Sequence, residues 1–219
     1  MIRAVIFDQD GILFDTERVY HEAFVKAGEE YGLADARLDV DNCTGRSYED
    51  IRIYCTDKYG PDFPYDDFMG RRLVHYREIV DREGLILKPG VREILKFLKD
   101  SGIPASVCTS TGPDLTLRQL EESGLAPFFS DVVYGDMVRN GKPAPDIYLL
   151  ACRRLSVNPS DAVGVEDSFN GVRAVHAAGM RAVMVPDLLI PDDEMRRLAY
   201  RIDKDLNQTL HWLQNEITI

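Results

Sequence analysis

Two carboxylates one residue apart close an apolar run near the N-terminus, Asp8 and Asp10 in "AVIFDQDG". A second acidic pair, Glu166 and Asp167, closes another such run, "AVGVEDS". Thr109 and Ser110 end a third, "ASVCTST", and Lys142 follows a fourth in "GDMVRNGKPAPD". Four carboxylates gathered at one place strongly disfavour full ionisation. A hard dication with oxygen ligands removes that penalty, and Mg2+ suits a few carboxylates, a carbonyl, waters and a phosphate oxygen. Lys142 adds a compact positive charge for a phosphate. Thr109 and the backbone amides around it can donate hydrogen bonds to phosphoryl oxygens. In such a site one carboxylate attacks phosphorus and forms an aspartyl phosphate. A second, two residues on, protonates the leaving oxygen and then deprotonates water. Asp8 and Asp10 fit these two parts, because Gly11 lets the chain turn and the pair address different ends of the scissile bond.

This chemistry needs a scaffold that brings distant segments together. Five short apolar runs, Ala4–Phe7, Ala105–Cys108, Val132–Tyr134, Ala162–Val165 and Ala182–Val185, do not alternate and are rich in valine. Such runs suit strands buried on both faces, and therefore a parallel sheet. Helical patterns with sensible start or stop residues lie between the later runs: "VREILKFLKDSG", "DLTLRQLEESG", "PDIYLLACRRL" opening at Pro145, and "SFNGVRAVHAAG" capped by Ser168. The alternation predicts an α/β fold, a doubly wound, Rossmann-like parallel sheet. All carboxyl ends then share one edge, where ligands bind at the reversal of the winding. Nearly a hundred residues separate the first two strands, and they read as helices. "TERVYHEAFVKAGEEYG" puts Val19, Tyr20, Ala23, Phe24 and Ala27 on one stripe. "SYEDIRIYCTDKYG" starts from a cap at Ser47, and "YDDFMGRRLVHYREIV" groups Phe68, Leu73, Tyr76 and Val80. The expected division is a catalytic core of residues 1–15 and 87–219 with a helical cap domain, 16–86, inserted after the first strand. The tail, "RIDKDLNQTLHWLQ", adds an edge strand and a closing helix.

The formal net charge is −11. A chain this acidic repels nucleic acid and anionic lipid, so any phosphorylated ligand needs local cations. No apolar run approaches about 18 residues, which excludes a membrane-spanning helix. The N-terminus lacks a signal-peptide pattern, so a cytoplasmic protein is expected. Cys43, Cys55, Cys108 and Cys152 are scattered without metal-clip spacing and are expected to be reduced and mostly buried. Each candidate also has a plainer reading. Thr109 can cap the helix near Pro113, Lys142 can be a surface lysine, and Glu166 and Asp167 can be charges at a helix N-terminus. Asp15 and Thr16 read as a turn and cap at the hinge into the insertion, whose closure would exclude water from the crevice. Arg46 lies in a loop that can face the site and meet substrate hydroxyls or a second phosphate. His75, His176 and His211 read as structural, and Trp212 as packing.

With these motifs in register, the chain resembles the haloacid dehalogenase superfamily of phosphotransferases. The closest likeness is to its β-phosphoglucomutase-like branch with a helical cap. "FDQDG", "VCTST", "GKPAPDIY" and "VGVEDSFNG" match the family's four motifs in order across essentially the whole chain. The resemblance implies that Asp8 is the nucleophile and a Mg2+ ligand, and that Asp10 is the acid/base and lends its carbonyl to the metal. It implies that Thr109, the Ser110 amide and Lys142 hold the phosphoryl group, that Asp167 ligates the metal, and that Glu166 does so directly or through water. In phosphomutase relatives a histidine near the place of His21 can touch substrate or hinge; a surface or packing role fits the helical phase of His21 as well. The name-giving dehalogenases lack the second aspartate and the metal, which argues against that activity. Phosphoglucomutases of this branch carry a basic loop resembling "LKGVSRED", and here the stretch reads "CTGRSYED", with Thr44 and Tyr48 in place of its lysine and arginine. The expectation is a Mg2+-dependent phosphomonoester hydrolase acting on a small phosphorylated metabolite, sugar phosphates included. A phosphomutase is the runner-up, and a monomer is favoured. A phosphoacceptor signalling domain is disfavoured by the length and the insertion, and a non-catalytic ligand binder by the intact set of polar residues.

Overall fold

The computed structural model describes residues 1–44 and 48–217; Arg46 and the expected cap at Ser47 lie outside the described residues. Strand β1 (Ala4–Phe7) is followed by four helices, α1 (Thr16–Glu30), α2 (Ala36–Cys43), α3 (Tyr48–Tyr59) and α4 (Tyr65–Glu83). Then come α5 (Val91–Asp100), β2 (Ala105–Thr109), α6 (Pro113–Glu122), β3 (Asp131–Tyr134), α7 (Asp146–Arg154) and β4 (Ala162–Glu166). The chain ends with α8 (Phe169–Ala177), β5 (Arg181–Met184), α9 (Asp193–Leu198), β6 (Arg201–Ile202) and α10 (Leu206–Glu216). It divides into two compact units, one made of Met1–Phe14 and the chain from Leu87 onward, the other of Asp15–Ile86.

In the first unit the described strands form one parallel sheet in the order β3-β2-β1-β4-β5-β6. The α/β fold read from the sequence is therefore the observed one. Every residue of β1, β2 and β4 is buried, because helices cover both faces, and this is why these runs do not alternate. Each helix buries one stripe: Val91, Ile94, Leu95 and Leu98 on α5, and Ile147, Tyr148, Ala151 and Cys152 on α7. Burial of each such Val, Ile or Leu contributes about 1.5–3 kcal/mol. Ser168 caps α8 by accepting from the Gly171 amide at 3.1 Å. Pro145 stands one residue before its expected place: its carbonyl accepts the first helical bond, from the Leu149 amide, and the helix begins at Asp146. The tail supplies the edge strand β6 and the helix α10. The winding reverses between β1 and β4, where Phe7 lies opposite Val107 on one side and Val165 on the other.

The second unit has its own core. Phe24 of α1 meets Phe68 of α4 edge to face at 5.0 Å, and Tyr20 stacks on Tyr76 at 4.4 Å. The buried stripe of α4 is Phe68, Met69, His75, Tyr76 and Ile79. The expected Leu73 and Val80 are only half-buried, because a 3.6-residue period carries the stripe through position 72 instead. The Arg72 guanidinium occupies that place, over the Tyr20 ring at 5.0 Å. Helix α2 was not evident from sequence: three of its eight residues are aspartate or asparagine, and only Ala36, Val40 and Cys43 give an apolar stripe. His75 has partners the sequence did not reveal, Glu30 at 3.0 Å and Glu78 at 3.1 Å. None of the four cysteines is in a disulfide, and all are buried. Among the described residues no helix is long and apolar enough to cross a membrane.

Candidate active site

The site is built at the reversal of the winding. Beyond β1, the Asp8 amide donates to the Val165 carbonyl at 2.9 Å, which carries Asp8 alongside the end of β4. The chain then turns tightly. The Leu13 and Phe14 amides donate to the Gln9 carbonyl at 2.8 and 3.2 Å, and the Gly11 amide donates to Phe14 O at 3.0 Å. Gly11 has φ +77°, and a Cβ there would strike the Asp167 carboxylate. Glycine is thus required on two counts, by backbone angle and by the close approach of a charged side chain. Gly171, in the first turn of α8, is required for a similar reason, since a Cβ would overlap the Glu166 carboxylate.

Lys142 reaches this point from the connection between β3 and α7. Its Nζ lies 2.5 Å from Asp8 Oδ1 and 2.7 Å from Glu166 Oε1, and it donates to the Cys108 carbonyl at 3.1 Å. The ammonium sits 5.4 Å from the centre of the Tyr148 ring. The Tyr148 hydroxyl donates to Glu166 Oε1 at 2.5 Å, and Ser168 Oγ donates to Glu166 Oε2 at 3.3 Å. Burial alone would lower the Lys142 pKa, but the charges of Asp8 and Glu166 outweigh it and hold the ammonium protonated. Burial raises the Asp8 carboxyl well above the usual range; Lys142 opposes this, while Glu166 and Asp10 add to it. One buried cation therefore faces several carboxylates, and negative charge is in excess.

Ligand oxygens of Asp8, Glu166 and Asp167 all lie within 4.8 Å of one another, and all three residues are buried. Three hard oxygen donors at this spacing, with more negative charge than Lys142 can balance, fit a divalent cation. A soft transition metal would call for sulfur or imidazole ligands, which this set does not contain.

Asp10 is tied to the end of β2. Thr111 Oγ1 donates to Asp10 Oδ2 at 2.7 Å. Thr109 is fully buried, and its hydroxyl accepts from the Thr111 amide at 3.0 Å. Ser110 between them is exposed. The structure thus gathers Asp8, Lys142, Glu166 and Asp167 into one cluster and joins Asp10 to Thr109 through Thr111. His21 belongs to the second unit, where its Nε2 meets Thr44 Oγ1 at 2.7 Å and its Nδ1 lies 3.7 Å from Asp41. Arg46 is outside the described residues. Two contacts at the site are not legible in the sequence, those of Tyr148 with Glu166 and of Thr111 with Asp10. Both residues stand inside the quoted motifs, Tyr148 at the end of "GKPAPDIY" and Thr111 at the end of "VCTST", but only the fold reveals their partners.

Residues 5–185 match the family described as haloacid dehalogenase-like hydrolase. The chain is 36% identical over 185 residues to the phosphorylated carbohydrates phosphatase of Thermotoga maritima, covering 83% of this chain and 84% of that one. It is 34% identical over 201 residues to (DL)-glycerol-3-phosphatase 2 of Arabidopsis thaliana, covering 85% and 80%. Among solved structures it resembles CbbY from Rhodobacter sphaeroides in complex with phosphate, with a TM-score of 0.76 and 29% identity over 94% of this chain and 95% of that one.

Proposed function

Since the chain belongs to the haloacid dehalogenase-like hydrolases, we propose that it hydrolyses phosphomonoesters of small polar metabolites, sugar and polyol phosphates among them, with Mg2+ as its cation. The observation that carries this reading is the Asp8 carboxylate, buried on Lys142 and within 4.8 Å of the Glu166 and Asp167 ligand oxygens. Two relatives, one named for phosphorylated carbohydrates and one for glycerol 3-phosphate, support the substrate class. Asp8, Glu166 and Asp167 would hold the metal. When bound, Mg2+ supplies charge neutralisation and polarises a phosphoryl oxygen.

The remaining chemistry falls to the chain's own groups. An Asp8 oxygen attacks phosphorus, the ester P–O bond breaks, and its electron pair leaves with the substrate oxygen. Asp10, as a carboxylic acid, gives that oxygen its proton, and the alcohol departs. Water then attacks the aspartyl phosphate and gives a proton to the Asp10 carboxylate. The bond between phosphorus and Asp8 breaks, its electron pair returns to Asp8, and inorganic phosphate leaves. Lys142 steadies the phosphoryl charge throughout. In this scheme residues 1–15 and 87–219 act as the catalytic core and 16–86 as a cap that governs access.

The test is release of inorganic phosphate across a phosphomonoester panel, with Mg2+ and with a chelator. We expect turnover with Mg2+, its loss on chelation, and a fall of more than about 10³-fold in Asp8→Asn. Turnover that survives Asp8→Asn ends the covalent reading. A sugar monophosphate primed with its bisphosphate separates hydrolase from mutase: we expect phosphate and free sugar, and no isomer.

A further inference from the structure

Thr111 is a polar side chain at the rim of the site with no part in the scheme above. Its position is over-determined. Its amide donates to the buried Thr109 hydroxyl at 3.0 Å, and its carbonyl accepts from the equally buried Thr116 Oγ1 at 3.4 Å. Its own hydroxyl donates across 101 residues of sequence to Asp10 Oδ2 at 2.7 Å. The loop holding Asp10 begins directly beyond β1, which pairs with β2, so the contact links the turns that follow two neighbouring strands.

We propose that Thr111 is a positioning residue for the proton carrier Asp10. The inference rests on the hydrolase reading above. While Asp10 Oδ2 accepts from the Thr111 hydroxyl, the carboxyl carries its own proton on Oδ1. Thr111 therefore selects which oxygen of Asp10 delivers the proton, and fixes the carboxyl plane at which it does so. A group transferring a proton must lie within hydrogen-bond reach of the reacting oxygen at the moment the ester bond breaks. Fixing it beforehand removes a rotameric search from the barrier. In the first step the P–O bond breaks, its electron pair goes to the leaving oxygen, and the Oδ1 proton follows. In the second step the proton lost by water returns to the same oxygen. Thr111 itself neither gains nor loses a proton across the cycle.

Leaving groups of different basicity test this. An alkoxide leaving from an alkyl phosphate needs its proton as the bond breaks; a nitrophenolate needs it far less. The value of kcat/KM reports the steps through ester cleavage. With glycerol 3-phosphate as the alkyl ester and p-nitrophenyl phosphate as the aryl ester, we expect Thr111→Val to lower kcat/KM about tenfold for the alkyl ester and less than about threefold for the aryl ester. Thr111→Ser, which keeps the hydroxyl, restores the alkyl rate to within about threefold. Thr111→Ala gives the same comparison if the valine does not fold. An equal fall on both esters, an unchanged alkyl rate, or a serine as poor as the valine overturns the assignment. An increase in the alkyl rate also overturns it, since Thr111 would then be holding Asp10 out of use. Wild-type protein with no turnover on either ester removes the hydrolase reading and this one together. Turnover that needs Asp8 and Asp10 but ignores Thr111 removes only this one.

Discussion

Both carboxylate oxygens of Glu166 are engaged by protein donors, Oε1 by Lys142 and Tyr148 and Oε2 by Ser168. The residue is fully buried, where a polar group without partners is costly, and these donors offset that cost. The two Oε1 donors differ in kind. Removing the Tyr148 hydroxyl leaves Glu166 still bonded to an ammonium. Removing the ammonium leaves both Asp8 and Glu166 buried without their cation. Tyr148→Phe is therefore expected to cost about 1.5–3 kcal/mol, the worth of one hydrogen bond to a charged group, and to keep turnover within about tenfold. Lys142→Met is expected to cost about 3–5 kcal/mol, as breaking a buried ion pair does, and to abolish turnover. Urea unfolding in chelator isolates the protein's own contribution, and phosphate release measured in parallel gives the other half. Equal losses in the two variants would mean that Lys142 is not the cation that balances this cluster.

At the level of elements, α2 shows how a helix with little apolar surface is held. Its Asp39 is fully buried and accepts from Tyr54 OH at 2.7 Å, from Lys58 Nζ at 2.5 Å and from the Tyr59 hydroxyl, all on α3. Burial would raise its pKa, but the hydrogen bonds from Lys58, Tyr59 and Tyr54 outweigh it and hold the carboxyl below the usual 3.8. A depressed folded pKa gives stability that is complete above the unfolded value of 3.8 and is lost as pH falls through the folded value. Asp39→Asn should thus melt lower than wild type at neutral pH, by about 2 kcal/mol in stability, with the gap narrowing below pH 3.8. A gap that holds constant to pH 2 would mean the charge of Asp39 contributes nothing. This polar tie also explains why α2 was hard to read: its stability comes from a side chain that looks like a loop residue. The strands posed no such difficulty. Burial on both faces forces contiguous apolar runs, and the acids that close β1 and β4 mark the edge where those runs end. The contacts of Thr111 and Tyr148 stayed hidden because they cross 101 and 18 residues of sequence. The pairing of β1 with β2 brings Thr111 to Asp10, and the packing of α7 on the sheet brings Tyr148 to Glu166.

At the scale of the whole chain, the two units have separate cores. One gathers Ile6, Cys108, Val133, Val175 and Met184, the other Phe24, Val40, Cys55 and Phe68. The ends of the first unit that flank the insertion are neighbours, since Phe14 and Leu87 form an antiparallel bridge and the Lys88 amide donates to the Leu13 carbonyl at 3.0 Å. A short flexible linker can therefore replace the 72 residues from Asp15 to Ile86 without moving either end. Shortening that loop from 72 residues to about six lowers the entropic cost of closing it by about 2 kcal/mol. The acids at the strand ends and Lys142 all belong to the retained unit. The shortened chain is thus expected to unfold in one cooperative step and to retain the circular-dichroism signature of the parallel sheet. If 16–86 acts as the proposed cap, it should still cleave p-nitrophenyl phosphate while losing most of its preference among metabolite phosphates. A chain that collapses without a cooperative transition would show that the sheet needs the helical unit to fold. One that folds and still discriminates among sugar and polyol phosphates would place substrate selection in the sheet unit instead.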